Sequence, residues 1–386
     1  MYCRMFFMIV VGLVLSGATA QAEVITIEGT IKSVDAAKRT ITVETSDGAK
    51  TLDVSSKAKI SNDGKDSTLD KLKAGQKVSL SYHDELEIVL KIEVGASPPS
   101  LITFDKQEQQ IDIRIADKPF ASYIFRDDQI LRPFFANVNS LGGVQVTRNY
   151  PPVEDGDHAD TQPGLSLDFA DLNGADFHSN TAVVRHVEFA EEPTARESMA
   201  TFVVKNSYEA GNQVVCNEDC RFTFYVEPEG VLLVWDSVFH SDDHDFYFGD
   251  SKEMGLGLRV ATPLKVQNGG RIIDSQGRVN EKGVWGKQAD WCQCSGIIDG
   301  QQAGVMLVPD PKNFRRAWFH ARDYGYTMAN PFGQFAFTNK NKSNVIVKVG
   351  KPFRLRFGVF IWDTKLAKAP SGDALYRSFL KQIATK

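Results

Sequence analysis

Beyond its first fifteen residues the chain has no long apolar run, no surplus of positive charge, no internal repeat and few cysteines. Without a second apolar run there is no later segment able to cross a bilayer as a helix, which takes about 20 residues. Lys and Arg number 44 against 49 Asp and Glu, a formal charge of −5 that falls by one more without Arg4. That mild acidity argues against nucleic acid as a partner, since such proteins carry a basic stripe. Helical periodicity is also missing until the last fifteen residues, which argues against a helical bundle or an alternating α/β chain. What is present is ample material for a core: 42% apolar residues, with 25 Phe, 10 Tyr and 5 Trp. At 386 residues, two domains are expected.

The first residues bear on compartment. Arg4 precedes the apolar run from Met5 to Leu15, and Ala18-Thr19-Ala20-Gln21-Ala22 follows. A basic start, an apolar stretch of about a dozen residues and an Ala-x-Ala exit make a secretory signal. Residues 1–22 are therefore expected to be removed, leaving a periplasmic or secreted protein. Cys3 leaves with them, so Cys216, Cys220, Cys292 and Cys294 remain. An even number in an oxidising compartment reads as disulfides, with zinc as the alternative for two close pairs. Cys216 and Cys220 flank a polar stretch read as a tight turn, which makes Cys216–Cys220 the expected bond. Joining Cys292 to Cys294 along one strand would strain the bond geometry.

Residues 23–95 read as a small β-barrel of the OB or SH3-like kind. Arg39-Thr40-Ile41-Thr42-Val43-Glu44 alternates with period two, Asp47-Gly48 signals a hairpin, and Ser67-Thr68-Leu69-Asp70-Lys71-Leu72 reads as one helical turn. With neither a stacking platform nor a basic groove, its expected role is accessory. Residues 96–100, with Pro98-Pro99, form the linker. Residues 101–386 read as a large antiparallel β-sandwich, because stretches such as Arg221-Phe222-Thr223-Phe224-Tyr225-Val226 alternate cleanly. Leu375, Phe379 and Ile383 mark a C-terminal amphipathic helix over it. The fold class is all-β.

Several groups in the large domain carry candidate chemistry. Asp157-His158-Ala159-Asp160 lies in a long polar loop, and loops of that kind are often functional. Three ligand types without fixed geometry are weak evidence of a metal site. His240-Ser241-Asp242-Asp243-His244 lies between strands, so helical ligand spacing does not apply and an exposed acidic hairpin is the better reading. No metal or cofactor is assigned. Glu253 and Arg259 fall on one face of a strand whose same-face positions between them are Gly255 and Gly257, an open groove between opposite charges or a same-face salt bridge. His320-Ala321-Arg322-Asp323 sets a group that titrates near neutral pH beside a guanidinium and a carboxylate. Trp285, Asp290 and Trp291 precede it and Asn330 follows. Aromatic walls with a few polar groups are common in ligand sites, although a large β-protein also uses Trp and Gly at packed turns.

Three stretches carry a resemblance. They are Glu253-Met254-Gly255-Leu256-Gly257-Leu258-Arg259-Val260-Ala261-Thr262-Pro263; Trp285-Gly286-Lys287 with Ala289-Asp290-Trp291-Cys292; and His320-Ala321-Arg322-Asp323-Tyr324-Gly325 with Asn330-Pro331-Phe332-Gly333. Together they resemble an exported bacterial family labelled methane oxygenase PmoA. The earlier Asp157-His158, Pro163-Gly164-Leu165 and Asn173-Gly174-Ala175-Asp176-Phe177 match as well, and the resemblance spans about residues 100–365. Gln162, His178 and Cys294 depart from the family pattern, which expects His, Trp and Tyr there. The membrane subunit sharing that label is largely transmembrane helix, so the resemblance does not imply a copper oxygenase here. It implies an association with secreted enzymes of carbohydrate breakdown.

The expected function is an exported carbohydrate-active protein binding a sugar or other small polar ligand in an aromatic-lined cleft. Glu253, His320 and Asp323 are the acid and base candidates, for hydrolysis, elimination or epimerisation. Arg259, Trp285, Asp290, Trp291, Arg322, Asn330 and His158 are the binding candidates. The alternative is a non-catalytic binding or envelope protein in which these residues are structural.

Overall fold

The structure, a computed structural model, describes residues 24–45, 48–95, 100–153, 156–365 and 369–384. The expected leader at 1–22, Asp47 of the hairpin signal and linker residues 96–99 lie outside them. The chain divides into two compact units, with the boundary between residues 98 and 99.

The first unit is a closed barrel. Val24–Asp35 pairs with Thr40–Thr45 on one side and Lys77–His83 on the other, and Ile88–Val94 joins Lys77–His83 to Gly48–Asn62. Gly48–Asn62 returns to Thr40–Thr45 and closes the ring. Period-two alternation turns Ile41, Val43, Leu52, Val54, Leu80, Val89 and Ile92 inward, where they form the core. The expected helical turn is a 3-10 turn, Leu69–Lys71.

The second unit is the expected antiparallel sandwich. A nine-stranded sheet runs in the order Lys287–Gln288, Trp318–Arg322, Tyr326–Asn330, Met254–Arg259, Leu165–Phe169, Phe134–Ala136, Lys118–Ile124, Gln110–Ile115 and Ile102–Lys106. An eight-stranded sheet has Gln213–Glu227, Gly230–His240 and Phe353–Thr364 near its middle. Their inner faces share one large core that includes Leu167, Phe169, Leu256, Phe319, Phe222 and Trp235. Helix Gly372–Ala384 buries Leu375, Phe379 and Ile383 on the other face of the eight-stranded sheet, against Trp362 and Phe360. The stretch after His240 does not form a hairpin: Phe246–Phe248 pairs instead with Val345–Val347.

The cysteine expectation is corrected. Cys216 and Cys220 are free thiols within the continuous strand Gln213–Glu227, as are Cys292 and Cys294 on Cys292–Ile298. Four residues along a strand span about 13 Å, whereas a disulfide needs Cα atoms within about 7 Å. The polar residues 217–219 are not a turn, because Cys216, Glu218, Cys220, Phe222 and Phe224 all face the core.

Glu218 is a buried carboxyl whose Oε2 accepts from Asn206 Nδ2 at 2.8 Å and Tyr208 Oη at 3.4 Å. Burial raises its pKa more than the hydrogen bonds of Asn206, Ser237 and Tyr208 lower it. A raised folded-state pKa gives stability that is full below the unfolded value of about 4.3 and is lost as pH rises through the folded value. The slope is at most about 1.4 kcal/mol per pH unit for one proton. Glu218→Gln is expected to remove that slope, so urea midpoints of variant and parent should converge near pH 4. The variant should be the more stable of the two at alkaline pH. Parallel midpoints across the range would contradict this.

Each unit has its own core, so a chain beginning at Ser100 is expected to fold alone. Leu101 to Phe104 goes with the second unit, where Ile102–Lys106 pairs with Gln110–Ile115. A single cooperative melt of the shortened protein would support this, and aggregation where the full chain is soluble would refute it.

Candidate functional site

Residues directly opposite each other in a ladder point to the same side, so register defines one polar row on the outer face of the nine-stranded sheet. Arg322 opposes Tyr326, which opposes Arg259; His320 opposes Met328, which opposes Gly257, which opposes Ser166. Asp168 opposes Gly255, and Trp318 opposes Asn330. The inward positions between them, Leu165, Leu167, Leu256, Leu258, Phe319 and Ala321, belong to the core. One face holds the sandwich together while the other collects chemistry.

The groove expected between Glu253 and Arg259 is filled. A Cβ on Gly257 would meet Tyr326 Oη at 2.5 Å and Asp168 Oδ2 at 2.9 Å, so glycine is what lets these two groups sit over the strand. Asp168 is fully buried, forms an ion pair with Arg132 Nε, lies 3.6 Å from His178 Nδ1 and accepts from Ser166 Oγ at 2.9 Å. Burial pushes its pKa up, but the charge of Arg132 with the hydrogen bonds of His178 and Ser166 outweighs that and holds it below the usual carboxylate range.

At the row's other end, Glu253 Oε1 is 3.5 Å from His320 Nδ1. The His320 ring is buried, edge-on to Tyr326 at 5.8 Å and to Phe337 at 6.1 Å. Burial, then the charges of Arg322, Lys252 and His178, push its pKa to about 3 against a hydrogen bond to the Lys252 backbone. The imidazole is therefore neutral at physiological pH. Tyr326 is pushed well above its ordinary value by burial and by Asp168 and Glu253, so it stays a phenol. Among the described residues, His320 Nδ1, Tyr326 Oη and the Trp285 indole nitrogen are buried without a hydrogen-bond partner. Trp285 packs edge-on against Phe337 at 5.4 Å, with Lys252 Nζ 5.9 Å from its ring centre. Glu253 is 27% exposed, so this end is where the row meets solvent.

The other candidates separate. Arg259 is locked at the far end: its Nη1 donates to Gln162 Oε1 at 2.8 Å, its Nη2 is 3.4 Å from Asp157 Oδ2, and it lies 4.7 Å over the Tyr324 ring. His158 stacks on Tyr324 at 5.4 Å and meets Asp157 at 2.5 Å. Beside that end is a cleft of about 280 Å³ bordered by Arg148, Arg259, Lys265, Asn149 and Pro152. His320 and Glu253 are not among its walls.

Asp323 lies in the turn after Trp318–Arg322, its Oδ1 accepting from Glu281 N at 2.8 Å while its own N–H donates to Glu281 Oε2 at 3.0 Å. Arg322 Nη1 is 3.3 Å from Glu281 Oε1. Asn330 spends both amide hydrogens on the carbonyls of Ser251 and Lys252, and its oxygen accepts from Phe332 and Gly333. It has nothing left for a ligand. Asp290 pairs with exposed Arg316, and Trp291 packs under the C-terminal helix with its indole nitrogen on Asp373. Sequence reasoning missed Arg132, Ser166, Asp168, Tyr326, Lys252 and Phe337. The alternation in Leu165-Ser166-Leu167-Asp168-Phe169 was the readable signal for two of them. Among the described residues no three His, Cys, Asp or Glu side chains group as metal ligands.

Fold and row together define a two-unit all-β protein with a polar, partly aromatic site on the outer face of its sandwich. Residues 110–375 match a family of unknown function, DUF6807, and the chain belongs to that family. No curated protein matches the sequence. Among solved structures, a galactose mutarotase-like protein from Lactobacillus casei ATCC 334 is similar at 9% identity, over 67% of this chain and 99% of that one, with a TM-score of 0.31. A galactose mutarotase related enzyme from Lactobacillus acidophilus is similar at 11% identity, over 70% and 100%, with a TM-score of 0.32. Ag(I)-bound CusF from Escherichia coli is similar at 21% identity, over 20% and 98%, with a TM-score of 0.16. At these scores the likenesses assign no activity.

Proposed function

We propose that this is an exported carbohydrate-active protein that binds a sugar at the Glu253–His320 end of the outer row and acts on it by acid–base chemistry. The observation that carries the reading is a carboxylate at the solvent-facing rim, 3.5 Å from a buried neutral imidazole and walled by Trp285 and Phe337. Aromatic faces stack on the apolar faces of sugar rings, and a few polar groups then fix the hydroxyls. Glu253 is the base, taking a proton from a hydroxyl or ring carbon, and His320 orients the group that loses it. Elimination and epimerisation begin with such a step; in hydrolysis the same carboxylate would instead take the proton of an attacking water while an acid protonates the leaving oxygen. Asp323 has no part in it.

The test is a screen of the mature protein against a glycan panel for binding and product formation, with His320→Gln beside it. Turnover or binding lost in the variant supports the proposal; signals unchanged by the variant refute it. A second reading, a binding or envelope protein without catalysis, is favoured by the cleft at Arg148, Arg259 and Lys265, which lies away from His320. Binding without any product, weakened by substitution at Arg148 and not at His320, would select it. Export is proposed from the leader-like residues 1–22. A mature protein recovered outside the cytoplasm and shortened by that segment is the expected result.

A further inference from the structure

Glu253 Oε1 and His320 Nδ1 face each other with no donor between them. The opposite side of the ring decides which nitrogen carries the proton. The imidazole hydrogen-bonds the Lys252 backbone, and that bond favours the protonated form, so the ring is the donor. Nδ1 has no partner, so the donor is Nε2–H and a lone pair remains on Nδ1. Two acceptors are thus held side by side at a largely buried position. Such an arrangement is unfavourable until a donor enters.

Resting on the sugar-site reading above, we propose that this pair recognises a ligand hydroxyl, and that the site therefore selects neutral sugars over the corresponding uronic acids. A hydroxyl supplies the missing hydrogen, whereas a carboxylate would bring a third acceptor. The nearby cations have contacts of their own. Arg322 is paired with Glu281, and Lys252 lies over the Trp285 ring. The ligand hydroxyl donates to the Glu253–His320 pair from the solvent-facing rim, where Glu253 is 27% exposed.

The experiment uses the full mature chain labelled with ¹⁵N-histidine, His320 being assigned by difference from His320→Gln. Ring-nitrogen shifts at pH 7 are read alone and during titration with the methyl β-glycosides of glucose and galactose, then with glucuronate and galacturonate. The expected result is an unprotonated Nδ1 in the free protein that shifts on adding a neutral glycoside, with the uronates at least tenfold weaker. Glu253→Gln places an amide donor opposite Nδ1 and should weaken the neutral glycoside tenfold or more without lowering Tm. A protonated Nδ1 in the free protein overturns the inference, as does undiminished binding by Glu253→Gln. Uronates binding as tightly as neutral glycosides overturn the hydroxyl rule but leave the sugar site standing. No response of His320 to any of the four overturns both.

Discussion

Under the proposed acid–base reaction, Glu253→Ala is expected to lower kcat/KM by about 10²- to 10⁴-fold, the range general acid–base groups contribute, while leaving the fold intact. The side chain is only half-buried, and its partners are Ser251 Oγ at 3.2 Å and His320 Nδ1 at 3.5 Å. The backbone carbonyl of residue 253, which accepts from Ala170 at 2.9 Å, survives the change. Removing such a side chain typically moves stability by about 0.5 kcal/mol. His320→Ala is a poorer test, because the ring packs against Tyr326 and Phe337 and its loss opens a hole in the site's wall. The pH profile separates the two groups. His320 titrates near 3, so it is neutral at every higher pH and cannot give an acid limb around its ordinary value of about 6.5. An acid limb near 6.5 that disappears in His320→Gln would overturn the assignment of a neutral imidazole. Loss of activity in Glu253→Ala together with a lowered Tm would reduce the residue to a structural one.

Period two made most of the strands legible, and with them the face each residue takes. Gly255, Gly257 and Arg259 do share a face, and so do His320 and Arg322, while Glu253 precedes the strand. Strand order was not legible, and strand order builds the site. Asp168, Gly257, Tyr326 and His320 come from four strands whose sequence order differs from their order in the sheet, and Arg132 reaches Asp168 from an irregular segment. No local pattern encodes such a meeting. The glycines were read as open space, but a missing Cβ admits a neighbour as readily as a ligand, and here Tyr326 and Asp168 came in. Polar residues misled in both directions. Glu218 looked like a turn because a carboxyl in a core breaks the apolar rhythm, yet it is buried there with Asn206 and Tyr208 donating to its Oε2. Asp323 looked reactive because it follows His320 and Arg322, and Asn330 because it borders the aromatic-rich stretch, yet each is consumed in holding backbone.

Asp168→Asn is expected to destabilise the second unit by about 3–5 kcal/mol, the usual cost of leaving one member of a buried ion pair without its partner. The Asp168 and Arg132 side chains are 0% and 1% exposed, so water cannot replace the lost charge. Arg132 also ties three segments together through its donors to the carbonyls of Thr161 and His178 and to Asn180 Oδ1. A guanidinium without its carboxylate either stays at that cost or swings out and releases those segments. The wild-type pair also sets an acid limit. A carboxyl with a depressed folded-state pKa gives stability that is full above the unfolded value of about 3.9 and is lost as pH falls through the folded value. Urea midpoints from pH 7 down to pH 3 should therefore fall for the parent, while this contribution is absent from Asp168→Asn throughout. Replacing both residues, as Asp168→Asn with Arg132→Met, should recover part of the loss, because no buried charge is then unpaired. If the single variant melts like the parent, the pair is not buried as described. If the double variant is as unstable as the sum of the two single changes, Arg132 acts through its carbonyl contacts and not through Asp168.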